Sequence, residues 1–354
     1  MKAKDAVARR TSYRLWLAVL VGFVLGIPAG SHAQAAERQT LPEIEAAAIK
    51  EGRFLWYESI PFEEIQIIFQ DFQKKYPAVK PEYVDVGGAA RLARISQESM
   101  AGGPTADIST LGPAQVMAMA QQNLLRAIDW QALGIKPSPD VTPNEYMINT
   151  SAAVYFMIYN TDKVKPADAP KSYDALLDPK WKGRTGLWAR PIGFVGLRAG
   201  WGDQRTDDYV RKLAVNTPRL YRNPQALAEA VGAGESDIGI LVPYHTFLPS
   251  VKKGAPIAMD PIEPVAITSL YGFLPKAGRN PNASKLFLVW LSSADGARSV
   301  ERATGRGNPF VPGTEVERLI SGKARSVTNA TTEIEQADRM VALEAEYQKI
   351  LERR

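Results

Sequence analysis

The sequence predicts an α/β protein folded as two lobes, with a ligand held in the crevice between them. Three observations carry this reading. Short apolar strands alternate with amphipathic helices from residue 52 to residue 125, and a second series of the same kind runs from 184 to 242. Two long extended segments, 151–164 and 264–278, join the series and are rich in β-branched and aromatic residues. Strand–helix–strand repetition at this spacing calls for parallel βαβ units. The long segments then become crossover strands that can hinge, and ligands in such folds sit beyond the carboxyl ends of strands.

The chain opens on a leader. Lys2, Lys4, Arg9, Arg10 and Arg14 precede the apolar run LWLAVLVGFVLGI, which leads into PAGSHAQA. The run is too short for a membrane-spanning helix, which needs about 20 residues. Small residues at Ala33 and Ala35 place signal-peptide cleavage after Ala35, so residues 1–35 are expected to be removed and the mature chain to be periplasmic. A membrane anchor and twin-arginine export are the alternatives; the second lacks an apolar residue two places after Arg10.

The full chain carries 43 basic and 38 acidic residues, a net charge of +5. The leader holds five of the basic residues and one acidic residue, Asp5, which leaves 38 and 37, a net of +1. No basic run remains to hold nucleic acid or an anionic membrane surface. An exported chain without cysteine has to draw its stability from core size and not from disulfides. The same absence excludes thiol catalysis, iron–sulfur clusters and zinc–thiolate sites. His32 leaves with the leader, so His245 is the histidine that stays. Histidine-rich metal sites are thereby excluded, as is any Ser-His-Asp triad that does not use His245. No G-x-S-x-G, H-E-x-x-H or P-loop motif occurs. A hydrolase working through paired carboxylates stays open, because sequence does not pair acidic residues in space.

The elements follow in order. GRFLWYES (52–59) reads as a strand. PFEEIQIIFQDFQKKYP (61–77) is a helix with Phe62, Ile65, Ile68, Phe69 and Phe72 on one face and prolines at both ends. KPEYVDV is a strand, GGAARLARISQESMAGG a helix bounded by glycines, ADIST a strand and PAQVMAMAQQNLL a helix. After the crossover SAAVYFMIYNTDKV, residues 166–188 are loops around a short helix. RTGLW, PIGFVGLRAG and NPQALAEAVGAGESDIGILV give strand, helix, helix and buried strand, and NASKLFLVWLSS follows the second crossover as an amphipathic helix.

The stretches EGRFLWYES, ADIST, YNTDKV, PKSYDALLDPKWKGR, AEAVGAGESDIGILVPYH and YGFLPKAGRNPNASKLFLVWLSS, in this order across residues 50–295, resemble periplasmic solute-binding proteins of ABC importers, in the ferric-iron-binding subfamily. The resemblance implies the type II periplasmic binding fold, closure of the lobes on a solute, and a permease and ATPase as partners. On that basis the lobes are expected at 36–148 plus 268–315 and at 149–267 plus 316–354. The chain is expected to be a monomer without cofactor or catalysis that meets the membrane only through the permease.

Iron-binding members place two consecutive tyrosines in the loop that here reads PYHTF, so Tyr244 matches the first and His245 stands where the second would be. The loop YESIPFEE offers Tyr57, Glu58 and Glu63 but no histidine. One phenolate and one imidazole are a poor start for Fe(III), which prefers anionic oxygen. His245 is therefore read as a ring that hydrogen-bonds or stacks on an organic ligand, with a metal role and a purely structural role as the other readings. Such an imidazole titrates near pH 6.5, so an anion touching it is expected to bind more tightly as pH falls.

The helices after VGG and WARP open at inter-lobe loops, where unpaired N–H groups suit anions. Arg91 and Arg190 lie at these openings, and an arginine fork can grip a carboxylate or phosphate. Ser59 and Thr110 end strands at the crevice, and Trp188 and Tyr271 are candidates to wall it. Trp56, Arg94 and Trp201 are left to packing or surface. The expected cargo is a small organic anion: a carboxylate, phosphonate or phosphate ester. The rival within the class is ferric iron with or without a synergistic anion, held by Tyr244 and His245. Outside it the rivals are a sensor subunit for a receptor kinase and the carboxylate hydrolase.

Overall fold

A computed structural model describes residues 38–328 and 330–352; the expected leader and its cleavage point lie outside them. The first series contains α1 (Leu41–Glu51), β1 (Arg53–Glu58), α2 (Phe62–Lys75), β2 (Lys80–Asp85), α3 (Gly88–Met100), β3 (Ile108–Leu111) and α4 (Pro113–Gln121). β4 (Ile148–Asn160) crosses to the second series. That series holds β5 (Thr185–Trp188), α5 (Ile192–Trp201), α6 (Asp203–Val215), β6 (Arg219–Tyr221), α7 (Pro224–Gly232), β7 (Ile238–Pro243), α8 (Tyr244–Lys252) and β8 (Ile257–Asp260). β9 (Val265–Phe273) crosses back to α9 (Pro281–Leu291) and α10 (Ala294–Thr304). The chain then returns through α11 (Glu315–Leu319), β10 (Arg325–Thr328) and α12 (Ala330–Glu352).

The strands form one curled sheet in the order β2-β1-β3-β9-β4-β7-β5-β6, with β10 on β9 and β8 on β4. Pairing of β1 with β2 and β3 and of β5 with β6 and β7 is parallel, as βαβ units require, whereas β4 and β9 run antiparallel to each other, β4 to β7 and β8, and β9 to β3; β10 joins β9 in parallel. Each crossover strand is shared. β9 pairs with β10 at Val265–Thr268 and with β3 at Tyr271–Phe273, so one strand belongs to both lobes. Both crossovers are shorter at their far ends than the sequence expected. β4 ends at Asn160 because its side chain turns the chain, accepting the Asp162 N–H at 2.9 Å and donating to the Val231 carbonyl at 2.8 Å.

Each lobe has its own buried cores. In the first, Phe54, Phe72 and Phe287 meet with ring centroids 4.6–5.9 Å apart, beside Ile65 and Ile68. Phe62 does not join them. It is 57% exposed, because α2 begins there and the helix turns its first residue to solvent. In the second lobe Tyr173, Trp201 and Tyr209 pack edge to face under α5 and α6, and Phe156, Val242 and Phe247 fill the opposite face of the sheet. Trp201 and Trp56 are packing residues, as expected.

α12 lies against α5 and α6 of the second lobe and also reaches α4 of the first. None of the described helices is long and apolar enough to cross a membrane.

Candidate solute-binding cleft

On the first lobe, β1 delivers Glu58 to the crevice end of the sheet. The Glu58 carboxylate accepts the Ser59 N–H at 2.8 Å and a short contact from the Arg91 guanidinium, which α3 brings in from its first turn. Both partners are nearly fully buried, and the Arg91 Nε has no hydrogen-bond partner. The expected anion receptor Arg91 is thus already neutralised. Removing either partner would leave a buried charge unpaired, which is strongly destabilising. Ser59 itself is exposed beside this pair. Thr110 is buried on β3, opposite Gly272. Tyr271 is fully buried and donates to the Asp140 carbonyl at 3.1 Å, so it braces the hinge instead of walling the crevice.

On the second lobe, β5 ends at Trp188, whose indole N–H reaches the Arg222 carbonyl at 3.3 Å, and Arg190 follows over its ring at 5.8 Å. Arg190 is likewise occupied: its Nε and Nη2 donate to the Glu344 carboxylate of α12 at 2.7 and 3.2 Å. Beside this pair stands Tyr155 of β4, buried, its hydroxyl 3.2 Å from that of Thr268 on β9. Burial lifts the Tyr155 phenol to about 12, and it lies within the fields of Arg190, Glu344 and Arg306.

Tyr244 and His245 open α8; they are not in a loop. Pro243 precedes them in an extended conformation and serves as the N-cap, and Pro249 is accommodated within the helix. The approach is shaped by a bulge in β7 opposite Phe156–Ile158, where Leu241 takes φ +53°, in the left-handed region. Tyr244 turns inward: 2% exposed, it packs on Phe156 and Phe247 with centroids 5.8 and 6.3 Å away. Burial, then the Glu315 and Glu301 carboxylates, push its phenol far above the ordinary value. His245 is half-buried and pushed down to about 3, first by burial and then by the Arg306 charge. It is neutral across the physiological range, which removes the expected tightening of anion binding near pH 6.5.

Arg306 is the residue that sequence reasoning missed. It lies on a third crossing between the lobes, just after α10, between Gly305 and Gly307. Gly305 has φ +70°, and a Cβ there would lie 3.0 Å from the His245 Cα. At Gly307 a Cβ would strike Val316 at 2.6 Å, while its carbonyl accepts the Ala152 N–H at 2.9 Å. The two glycines therefore press this crossing against α8 and β4. Arg306 acts electrostatically on His245, on Tyr155 and on Glu64 of α2 in the first lobe. Among the described residues no carboxylate lies within ion-pair distance of it. The signal in the sequence was an arginine between two glycines at the end of an amphipathic helix.

The helices opening around this place, α2, α3, α5 and α8, have Pro or Gly at the N-cap and no side-chain cap, whereas α7, α10 and α11 are capped by Asn223, Ser293 and Thr314. The N-termini of α2, α3, α5 and α8 thus carry no side-chain acceptor, although the Glu64, Ile192 and Phe194 N–H groups are taken by the Pro61, Arg190 and Pro191 carbonyls at 3.0, 2.8 and 3.0 Å. Chemically, the place offers a cation without a counter-ion, a neutral imidazole and hydroxyls. Among the described residues it offers no group of three or more His, Asp or Glu that could hold a metal.

The profile of the bacterial extracellular solute-binding protein family matches residues 58–298. Among curated proteins, the Fe(3+)-binding periplasmic protein of Serratia marcescens is 25% identical over 174 residues, 48% of this chain and 51% of that protein. The major ferric iron-binding protein of Neisseria gonorrhoeae is 26% identical over 199 residues, 52% of this chain and 60% of that protein. The chain thus spans about half the length of the curated relatives it matches. Among solved structures, iron-bound HitA of Pseudomonas aeruginosa superposes with a TM-score of 0.68 at 17% identity, over 83% of this chain and 99% of that one. Trichodesmium IdiA (FutA), in complex with iron and citrate, gives 0.68 at 20% identity over 85% and 99%. AfuA of Actinobacillus pleuropneumoniae, with fructose-6-phosphate bound, gives 0.61 at 18% identity over 84% and 99%. These neighbours share the type II periplasmic binding fold. By the match across its two lobes, the chain belongs to the bacterial extracellular solute-binding protein family.

Proposed function

We propose that this chain is the periplasmic solute-binding component of an ABC importer, exported by residues 1–35, and that its solute is held as an anion facing Arg306. The observation that carries the reading is the guanidinium of Arg306 at the junction of the lobes, without a counter-ion among the described residues and beside a neutral histidine. An arginine so placed gains a charge-assisted hydrogen bond when a carboxylate or phosphate arrives, and the uncapped helix openings add to the same field. The protein would hand its solute unchanged to a permease and ATPase. On this reading the protein binds and releases its solute without catalysis.

Two cargoes meet this description. One is a free organic anion: a carboxylate, phosphonate or phosphate ester. The other is ferric iron carried with an anion that supplies oxygen ligands. The names of the curated relatives favour iron over the free anion. The residues of this chain supply little to a bare ferric ion, since Tyr244 is packed into an apolar core and His245 replaces the second tyrosine. Mass spectrometry of the solute released from freshly purified protein, with iron analysis of the same sample, separates the two. A small anion without iron supports the first, iron with a carboxylate the second. Iron bound with no accompanying anion contradicts the reading of Arg306.

A further inference from the structure

A cavity of about 540 Å³ is lined by separate parts of the chain: Lys136 and Val141 of the loop before β4, Pro309 and Phe310 of the crossing after Arg306, Glu317 of α11 and Arg325 of β10. None of the residues assigned to the cleft lines it. The loop is tied to the first-lobe ends of both crossover strands. The Asn149 N–H donates to the Val141 carbonyl at 2.7 Å, and the Tyr271 hydroxyl to the Asp140 carbonyl at 3.1 Å. Arg325 stands on the other side of the hinge. β10 begins there, opposite Val265, and the Arg325 Nη1 donates to the Pro309 carbonyl at 3.2 Å. The cavity therefore has walls in both lobes.

Its charges are unspent. Lys136 and Arg325 are exposed cations, and neither has an ion-pair partner among the described residues. Glu317 is the one carboxylate of the lining, and it accepts the Gly313 N–H at 3.5 Å. Asp140, on the same loop but outside the lining, is part-buried and makes no ion pair with Arg325. The lining thus carries one positive charge in excess. Between the charges it is apolar, with Pro309 buried and Val141 and Phe310 half-buried. Sites for small organic ligands have this composition and run to roughly 300–1,000 Å³. An aromatic ring offers a face to pack on, and a guanidinium fork grips planar oxyanions.

We propose that this cavity is a second ligand site, taking a small aromatic monoanion such as an aryl carboxylate or sulfonate. Its ring packs on Phe310, and its charge meets Arg325 and Lys136. Because the walls belong to both lobes, an occupant favours the arrangement in which they stand this close.

The probe is 1-anilinonaphthalene-8-sulfonate, an aryl sulfonate whose fluorescence rises when its rings leave water, titrated into the folded mature protein. Binding is expected to saturate at a single site and to be reversed by benzoate but not by benzamide or benzylamine. Arg325→Gln should weaken the dye about tenfold or more, the effect of one charge-assisted hydrogen bond, without moving the thermal midpoint, since that side chain is exposed. Phe310→Ala should weaken it as well. Arg306→Gln should leave the dye's affinity within about twofold. Loss of dye binding in Arg306→Gln would place the dye in the cleft and overturn the proposal. Dye binding indifferent to Arg325→Gln would overturn it too, as would displacement by benzylamine in preference to benzoate, which would make Glu317 the anchor.

Discussion

Arg190 and Glu344 meet as a two-point fork, Nε and Nη2 of the guanidinium on the two carboxylate oxygens at 2.7 and 3.2 Å, across 154 residues of sequence. A helix near the end of the chain thus supplies the carboxylate that a solute could otherwise have supplied. The pair is half exposed on the arginine side, so its worth to stability is small, under about 1 kcal/mol. Glu344→Gln is expected to leave the urea midpoint nearly unchanged and to tighten binding of an anionic solute by freeing Arg190. Weaker binding in this variant would mean that Glu344 itself holds the solute.

The position of His245 makes a pH prediction with a definite sign. Its folded pKa, about 3, lies below the unfolded value near 6.5, so the unfolded chain binds a proton that the folded chain refuses. The neutral ring's contribution is fully present above pH 6.5 and is lost as pH falls from there toward 3. The slope is at most about 1.4 kcal/mol per pH unit, and less here because the ring is only half-buried. Urea unfolding of wild type and His245→Gln at pH 7 and pH 5 should show the wild type losing more stability on acidification. Solute affinity, by contrast, should be flat between pH 7.5 and 5.5 as far as this ring is concerned.

Tyr244 distinguishes packing from coordination. Its ring lies in the apolar face under β7, so Tyr244→Phe should cost about 0.5–1.5 kcal/mol of stability or less, the worth of one hydrogen bond, and leave solute affinity intact. A visible absorbance band in the iron-loaded wild type that disappears in this variant would instead place the phenolate on a ferric ion.

Gly305 holds the Arg306 crossing against α8. An alanine there meets both a left-handed backbone, which costs roughly 1–2 kcal/mol, and the His245 Cα at 3.0 Å. Gly305→Ala should lower the unfolding free energy by at least that much and weaken solute binding, because Arg306 is displaced with the backbone. A variant as stable as wild type would show that the crossing can relax away from His245.

Much of the fold could be read from sequence because alternation of apolar strands and amphipathic helices is a local property. GRFLWYES, ADIST and GILV became β1, β3 and β7 within a residue or two. The start of α8 could not be read so easily, since Pro243 and Pro249 frame Tyr244 and His245 as a loop would be framed. The site was harder still. Arg91 and Arg190 were visible as arginines at helix openings, but their carboxylates lie 33 and 154 residues away, and pairing at such separations is set by tertiary packing. Tyr244 and His245 are adjacent in sequence yet face opposite environments, because α8 turns about 100° per residue. Arg306 carried its clue in the flanking glycines, which mark a backbone that must pass close to something without saying to what.

The central claim is that the solute's negative charge is held by Arg306. It is tested most directly by titrating the solute recovered from wild-type protein into Arg306→Gln and Arg306→Lys at fixed ionic strength. Affinity is expected to fall tenfold or more in the glutamine variant and to recover in part with lysine, with the thermal midpoint of the free protein unchanged. Equal affinity in wild type and Arg306→Gln would contradict the account.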